Sequence, residues 1–236
     1  LGESGLSFAP PLVIGSLHHA ELLRNQLPHA DLILEPFGRN SAPAVAAACL
    51  ASAPDDILLI LPADHHIARP EKFHEAIATA LPVAADGQIV TFGITPDHPS
   101  TDYGYIAFEP GAKAAKDVRE FVEKPGRETA QAYLDQGTYL WNAGIFMFRA
   151  DTMLAAFDAH ASDIINQVRT ALPGQADKTM QLDAQAFAPT RSISIDYAIL
   201  EHVKNISVVP VSMGWSDVGD YNALWALTAE DDRANT

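Results

Sequence analysis

The chain has 236 residues, 48% of them hydrophobic and 19% charged. That composition belongs to an ordinary globular protein, long enough for one large domain and too apolar for intrinsic disorder. The formal net charge of -15 argues against a nucleic-acid surface, which needs clustered Lys and Arg, but leaves room for a nucleotide held by a few local donors, with or without a metal.

A single cysteine, Cys49, rules out an internal disulfide and fits a reducing cytoplasm. No apolar run reaches membrane-spanning length, and residues 1–30 lack the charged-then-apolar layout of a signal peptide. Leu1 opens the chain where Met is usual, so a native start is not expected there.

Pro11 to Gly15 reads as a short strand, His18 to Gln26 as a helix and Asp31 to Leu34 as a second strand. Ser41 is placed to cap a helix with Pro43 in its first turn, leading into the Ala-rich run Ala44 to Ala53. Ile57 to Leu61 is a third strand, Glu71 to Ala80 a helix, and Gln88 to Ile94 a fourth strand. Continuously apolar strands alternating with helices predict an α/β fold, Rossmann-like, with a mostly parallel central sheet covered on both faces.

The second half is less regular. Tyr105 to Phe108, Val118 to Val122 and the aromatic Tyr139 to Phe148 read as strands, with a helix at Arg127 to Gln136. Asp151 to Ala159, Ser162 to Leu172 and Ile195 to Val203 read as helices. Ile206 to Val211 is a strand and Tyr221 to Leu227 a last helix. Asp231 to Thr236 is polar and is expected to fray. No repeat or linker stands out, so residues 1–236 read as one domain.

Certain segments depart from their surroundings. "LPADHH" turns polar just past an apolar strand. In open α/β sheets ligands bind beyond such carboxyl ends, so Asp64 is placed either to hold a Mg²⁺ that holds phosphates or simply to cap a turn. In "EPFGRNSAP", Arg39, Asn40 and the backbone N–H groups opening a helix suit an anion or a base edge, as well as a plain capped connection. In "TDYGYI", Gly104 between Tyr103 and Tyr105 suits a close backbone approach or a bulge. "FVEKP" delivers Glu123 and Lys124 at a strand end, suited to sugar hydroxyls and phosphate charge or to a solvated ion pair. In "WNAGIF", Asn142 and Gly144 interrupt an apolar strand at a cost in stability that often marks a ligand edge.

Taken together and in order, these segments, with "SIDYAILE" and "GWSDVGDYNALW", resemble the bacterial mannose-1-phosphate guanylyltransferases, the GDP-mannose pyrophosphorylases. The resemblance runs from about Phe8 to Trp225. It implies a cytoplasmic enzyme that joins GTP and mannose 1-phosphate, giving GDP-mannose and pyrophosphate by direct attack at the α-phosphorus.

By this resemblance Asp64 and Asp217 hold the catalytic Mg²⁺. Asn40, Ser41 and Ala42 lie near the guanine, and Arg39 beside them is also expected to bind substrate. Tyr103, Gly104, Glu123, Asn142 and Gly144 line the mannose, and Lys124 faces its phosphate. His65 and His66 are expected to be structural, because Mg²⁺ prefers oxygen ligands. Cys49 is expected in the core, and Trp215 and Trp225 as packing anchors.

The family's Gly-rich loop GGxGTRLWPLSR, its following Lys and the strand before it have no match here, nor has its C-terminal β-helical part. Residues left out of the sequence, a truncation, or a natural loss of catalysis would each explain the missing loop; the first is expected. A pyrophosphorylase of other base or sugar preference, and a non-catalytic sugar-nucleotide binding or regulatory protein, remain open, as does a homodimer. A dehydrogenase is poorly supported without G-x-G-x-x-G.

Overall fold

The computed structural model describes residues 6–174 and 177–219. The expected helix at Tyr221 to Leu227, the tail from Asp231 and Trp225 lie outside them.

The strands are β1 (Leu12–Ser16), β2 (Asp31–Glu35), β3 (Ile57–Ile60), β4 (His66–Ile67), β5 (Ile89–Ile94), β6 (Tyr105–Phe108), β7 (Lys116–Val122), β8 (Tyr139–Arg149), β9 (Thr179–Gln181), β10 (Ile206–Pro210) and β11 (Trp215–Ser216). The helices are α1 (Ala20–Gln26), α2 (Ser41–Leu50), α3 (Pro70–Ala85), α4 (Arg127–Gln136), α5 (Ala150–His160), α6 (Ser162–Ala171) and the single turn α7 (Ala184–Phe187). Local chemistry sets their ends. Asn40 Oδ1 accepts from the Ser41 N–H at the start of α2, Pro70 occupies the first turn of α3, and Gly137 closes α4 in the left-handed conformation. α3 continues past its expected end and through Pro82 to Ala85.

The α/β class expected from the sequence is the class that forms. Strand direction is more mixed than expected. A three-stranded sheet β1-β2-β9 is parallel, and β10 runs parallel to β5. β8 is inserted antiparallel between β3 and β5, and β6 and β7 pair antiparallel in a six-stranded sheet ordered β3-β8-β5-β10-β7-β6. The sequence pattern could not separate these cases. Along β8, Ala143, Ile145 and Met147 pack with Phe73, Ile77 and Phe92 against α3, while Phe146 and Phe148 pack with Val45, Phe157 and Ile164 on the other side. Both faces are apolar, so an antiparallel strand carries the same continuous hydrophobic run as a parallel one. Cys49 is fully buried in α2, as expected of a small core residue.

One consequence of β8 organises the site. On one edge it pairs twice. Its first residues, through Trp141, pair with β6, whose Tyr105 lies opposite Trp141. Its last residues, from Phe146, pair with β3, whose Ile60 lies opposite Phe146. β3 arrives at this gap and β6 departs from it. Residues 142–145 therefore sit in a fork, with the chain after Ile60 on one side and the chain before Tyr105 on the other.

The expected helix at Ile195 to Val203 forms instead a π-helical turn, Asp196–Leu200. Single wide turns of this kind are frequent at functional sites. Here Ile195 N–H is bound by Ser41 Oγ at 2.9 Å and Asp196 by the Asn142 amide, so side-chain partners hold the turn where it starts.

Candidate active site

Asp64 lies in an exposed turn just past β3, on one prong of the fork. Asp217 follows β11, which pairs antiparallel with β4 so that Ser216 faces His66 and Trp215 faces Ile67. Two backbone bonds extend that clasp, Ala68 N–H to Gly214 O at 3.1 Å and Arg69 N–H to Met213 O at 2.9 Å. Gly214 has φ +65, and a Cβ there would lie 2.8 Å from Ala68 Cβ, so the clasp closes only around glycine.

His65 stands between the two acids. Burial lowers its pKa, and the carboxylates of Asp64 and Asp217 both oppose that shift. Trp215 Nε1–H donates to His65 Nδ1 at 3.1 Å. An imidazolium has no lone pair to accept with, so this bond fixes a neutral ring carrying its proton on Nε2. Tyr103 O–H donates to Asp217 Oδ1 at 3.0 Å, and its ring lies edge-on to both Trp141 and Trp215.

The second prong holds Tyr103 and Gly104. Gly104 O accepts the Asn142 N–H at 2.8 Å, and a Cβ on Gly104 would lie 2.5 Å from Glu123 Oε2. The glycine therefore makes room for the carboxylate. Burial, and then the Asp196 carboxylate, push the pKa of Glu123 up to about 7, against the opposing charge of Lys124. Lys124 Nζ lies 3.8 Å from Glu123 Oε1 with its side chain largely exposed, on a backbone of φ 47. Gly144 has φ +67, and a Cβ there would lie 3.6 Å from His65 Cε1. Gly144 thus lies against the turn that carries Asp64 and His65.

The "RNSA" residues occupy different surroundings. Ser41 Oγ accepts from Ile195 N–H, and the buried Ala42 donates its N–H to Ile193 O at 3.1 Å. Asn40, at φ 65, uses its Oδ1 on the α2 cap. Arg39 donates to Ala188 O at 2.6 Å and lies over the Phe37 ring, while its Nε is buried without a hydrogen-bond partner. Glu35 Oε1, at the end of β2, is likewise buried and unpartnered, and burial pushes that carboxyl up to about 7. This region is tied to the fork through Ile195, bound by Ser41, and Asp196, bound by Asn142.

The fork thus brings together Asp64, Asp217, Tyr103, Gly104, Glu123, Lys124, Asn142 and Gly144. Arg39, Asn40, Ser41 and Ala42 are one step removed. Sequence reasoning missed Asp196 as a site residue, although an acid opening the apolar run of "SIDYAILE" was visible. It missed the tie from Trp215 to His65, for which a sequence carries no signal. Among the described residues no three His, Cys, Asp or Glu side chains converge as a complete metal cage. Two carboxylates do suit a hard cation that keeps waters and takes phosphate oxygens for its other ligands. Among those residues, too, no helix is long and apolar enough to cross a membrane.

Acids brought by the chain after β3 and after β11 to a fork on a central strand are what such a fold offers a ligand, and residues 8–234 match the model of the nucleotidyl transferase family. The chain belongs to that family. It is 41% identical to the mannose-1-phosphate guanylyltransferase ManC of Salmonella typhimurium over 98% of its own length and 52% of that protein's. It is 38% identical to the mannose-1-phosphate guanylyltransferase of Escherichia coli over the same shares. The chain thus spans about half the length of these curated relatives. Among solved structures it resembles one from Thermus thermophilus titled mannose-1-phosphate geranyltransferase, with a TM-score of 0.81 and 34% identity over 93% of this chain and 64% of that one.

Proposed function

We propose that the protein transfers the GMP moiety of GTP to mannose 1-phosphate, giving GDP-mannose and pyrophosphate. The observation that carries this reading is the fork on β8. Two acids reach it from β3 and β11, and Glu123, Gly104 and Asn142 form its other side. In the reaction a phosphate oxygen of mannose 1-phosphate bonds to the α-phosphorus of GTP. The bond to the bridging oxygen breaks, and pyrophosphate leaves with that oxygen. No covalent enzyme intermediate is needed, so the chain's work is positioning and charge control.

Asp64 and Asp217 would hold a Mg²⁺, which when bound offsets the charge on the phosphates. Tyr103 orients Asp217 through its hydroxyl. His65, neutral and tied to Trp215, packs beneath that pair and over Gly144. Glu123 accepts from sugar hydroxyls, and exposed Lys124 meets the sugar phosphate as a mobile point charge. Arg39, Asn40, Ser41 and Ala42 form the guanine side, with Ser41 and Ala42 also anchoring residues 193–195. Residues 1–236 act as one nucleotidyltransferase domain. A cytoplasmic setting accords with the acidic chain and its one buried cysteine.

The direct test is pyrophosphate release from GTP and mannose 1-phosphate with Mg²⁺, against UTP and glucose 1-phosphate as controls. Release specific to the first pair is expected. Equal release with the control pair would move the reading to another pyrophosphorylase, and GDP-mannose binding without release to a non-catalytic relative.

Glu123 adds a pH signature. Its carboxyl is raised to about 7, so the ionised form that accepts sugar hydroxyls is populated as pH rises through that value. The KM for mannose 1-phosphate should therefore climb as pH falls below about 7. Glu123→Gln should flatten that limb, leaving only the titration of the sugar phosphate itself. A limb unchanged in the variant would assign the pH dependence elsewhere.

A further inference from the structure

Asn142 is engaged by the protein on three sides. Its Oδ1 accepts from Gly144 N–H at 3.1 Å and from the hydroxyl of the buried Thr91 at 3.1 Å. Its Nδ2 donates to Asp196 Oδ1 at 2.9 Å. The Gly144 N–H can only donate, and an ionised Asp196 can only accept. The amide therefore has one permitted flip.

That accounting leaves little for a ligand. The Gly144 N–H and the Thr91 hydroxyl, the latter shared with Ile145 O at 3.4 Å, occupy the carbonyl oxygen, whereas one Nδ2 hydrogen remains. Asn142 can offer a sugar one donor and no acceptor. The acceptor must come from elsewhere, and Glu123 is at hand: the position a Gly104 Cβ would take lies 2.5 Å from Glu123 Oε2 and 3.4 Å from Asn142 Cβ. A sugar hydroxyl both donates and accepts, so one hydroxyl can join this pair.

Asp196 alone of these partners lies outside the sheet. Thr91 lies within β5, and Gly144 within β8 where the register against β5 shifts. Asp196 opens the π-helical turn, and its neighbour Ile195 is tied by its N–H to Ser41 Oγ at the head of α2.

We propose that Asp196 is the positioning residue of the sugar side. By accepting from Asn142 Nδ2 it holds one amide hydrogen away from the cleft and leaves the other to donate to a hydroxyl of the sugar phosphate, which in turn donates to Glu123. The inference rests on the reading of the fork as a mannose 1-phosphate site. It assigns Asp196 no contact with substrate.

Two variants separate position from packing. Asp196→Ala removes the acceptor. Asp196→Asn removes the charge but keeps a carbonyl oxygen that can accept from Asn142. Loss of one positioning hydrogen bond is worth about tenfold, so D196A should raise the KM for mannose 1-phosphate by about that factor. The KM for GTP should move no more than about twofold. D196N should recover at least half of the lost apparent affinity. If D196A does not fold, Asp196→Ser, one atom shorter at its polar end, replaces it.

The proposal is overturned if the alanine variant shifts both Michaelis constants equally or neither, or if D196N is as impaired as D196A. A wild-type protein that releases no pyrophosphate overturns the functional reading and this proposal with it. An active wild type with unaltered Asp196 variants overturns this proposal alone.

Discussion

Replacing Asp217 by Asn should lower turnover by a factor on the order of a hundred or more, while the thermal midpoint moves by no more than about 2 °C. Asparagine keeps the size of the side chain and an oxygen to accept from Tyr103 O–H, so the clasp between β4 and β11 survives. What it loses is the charge a hard cation needs. Asp217 is half-buried in a short loop and belongs to none of the apolar core, so stability has little to lose. Steady-state assays on a variant checked by thermal denaturation decide the matter. A midpoint that collapses while activity per folded molecule persists would make Asp217 a structural acid.

Asn142→Ala should behave differently, because its side chain is both a site group and a structural one. Truncation leaves the Gly144 N–H, the Thr91 hydroxyl and Asp196 without their amide partner. Unsatisfied buried groups cost about 1–3 kcal/mol each, and relaxation or water recovers part, so a loss of about 2–4 kcal/mol is expected. The KM for mannose 1-phosphate should rise more than tenfold and by a larger factor than that for GTP. Denaturant unfolding gives the first quantity and paired substrate titrations the second. Equal shifts in both constants would show a packing defect spread over the cleft.

The parts of the molecule legible in the sequence are those written in local pattern. The helix from Ser41 is marked by its cap and Pro43, β3 by an uninterrupted apolar run and β5 and β10 by mostly apolar ones. Asn142 and Gly144 stood out because each breaks such a run for no local reason. Pairing direction was not legible, since both faces of β8 are apolar and a period of two disappears. Nor were β4 and β11, each two residues long, whose pairing depends on the left-handed Gly214. Their clasp decides where Asp217 goes. The motif order suggested that Asp217 returns to Asp64, but only the register of that ribbon shows both acids at one imidazole. Asp196 escaped because its significance lies in a partner 54 residues away.

The aromatic arrangement around Tyr103 has an optical consequence. Its ring lies 5.0 Å from that of Trp141 and 5.2 Å from that of Trp215. Two of the chain's three tryptophans thus stand on either side of one phenol whose hydroxyl is bound to Asp217, and one of those indoles is bound to His65. Indole emission responds to the polarity and charge around the ring. A cation or phosphate arriving at the fork alters both within a few ångströms of these fluorophores, so the protein carries a built-in reporter of occupancy that needs no label.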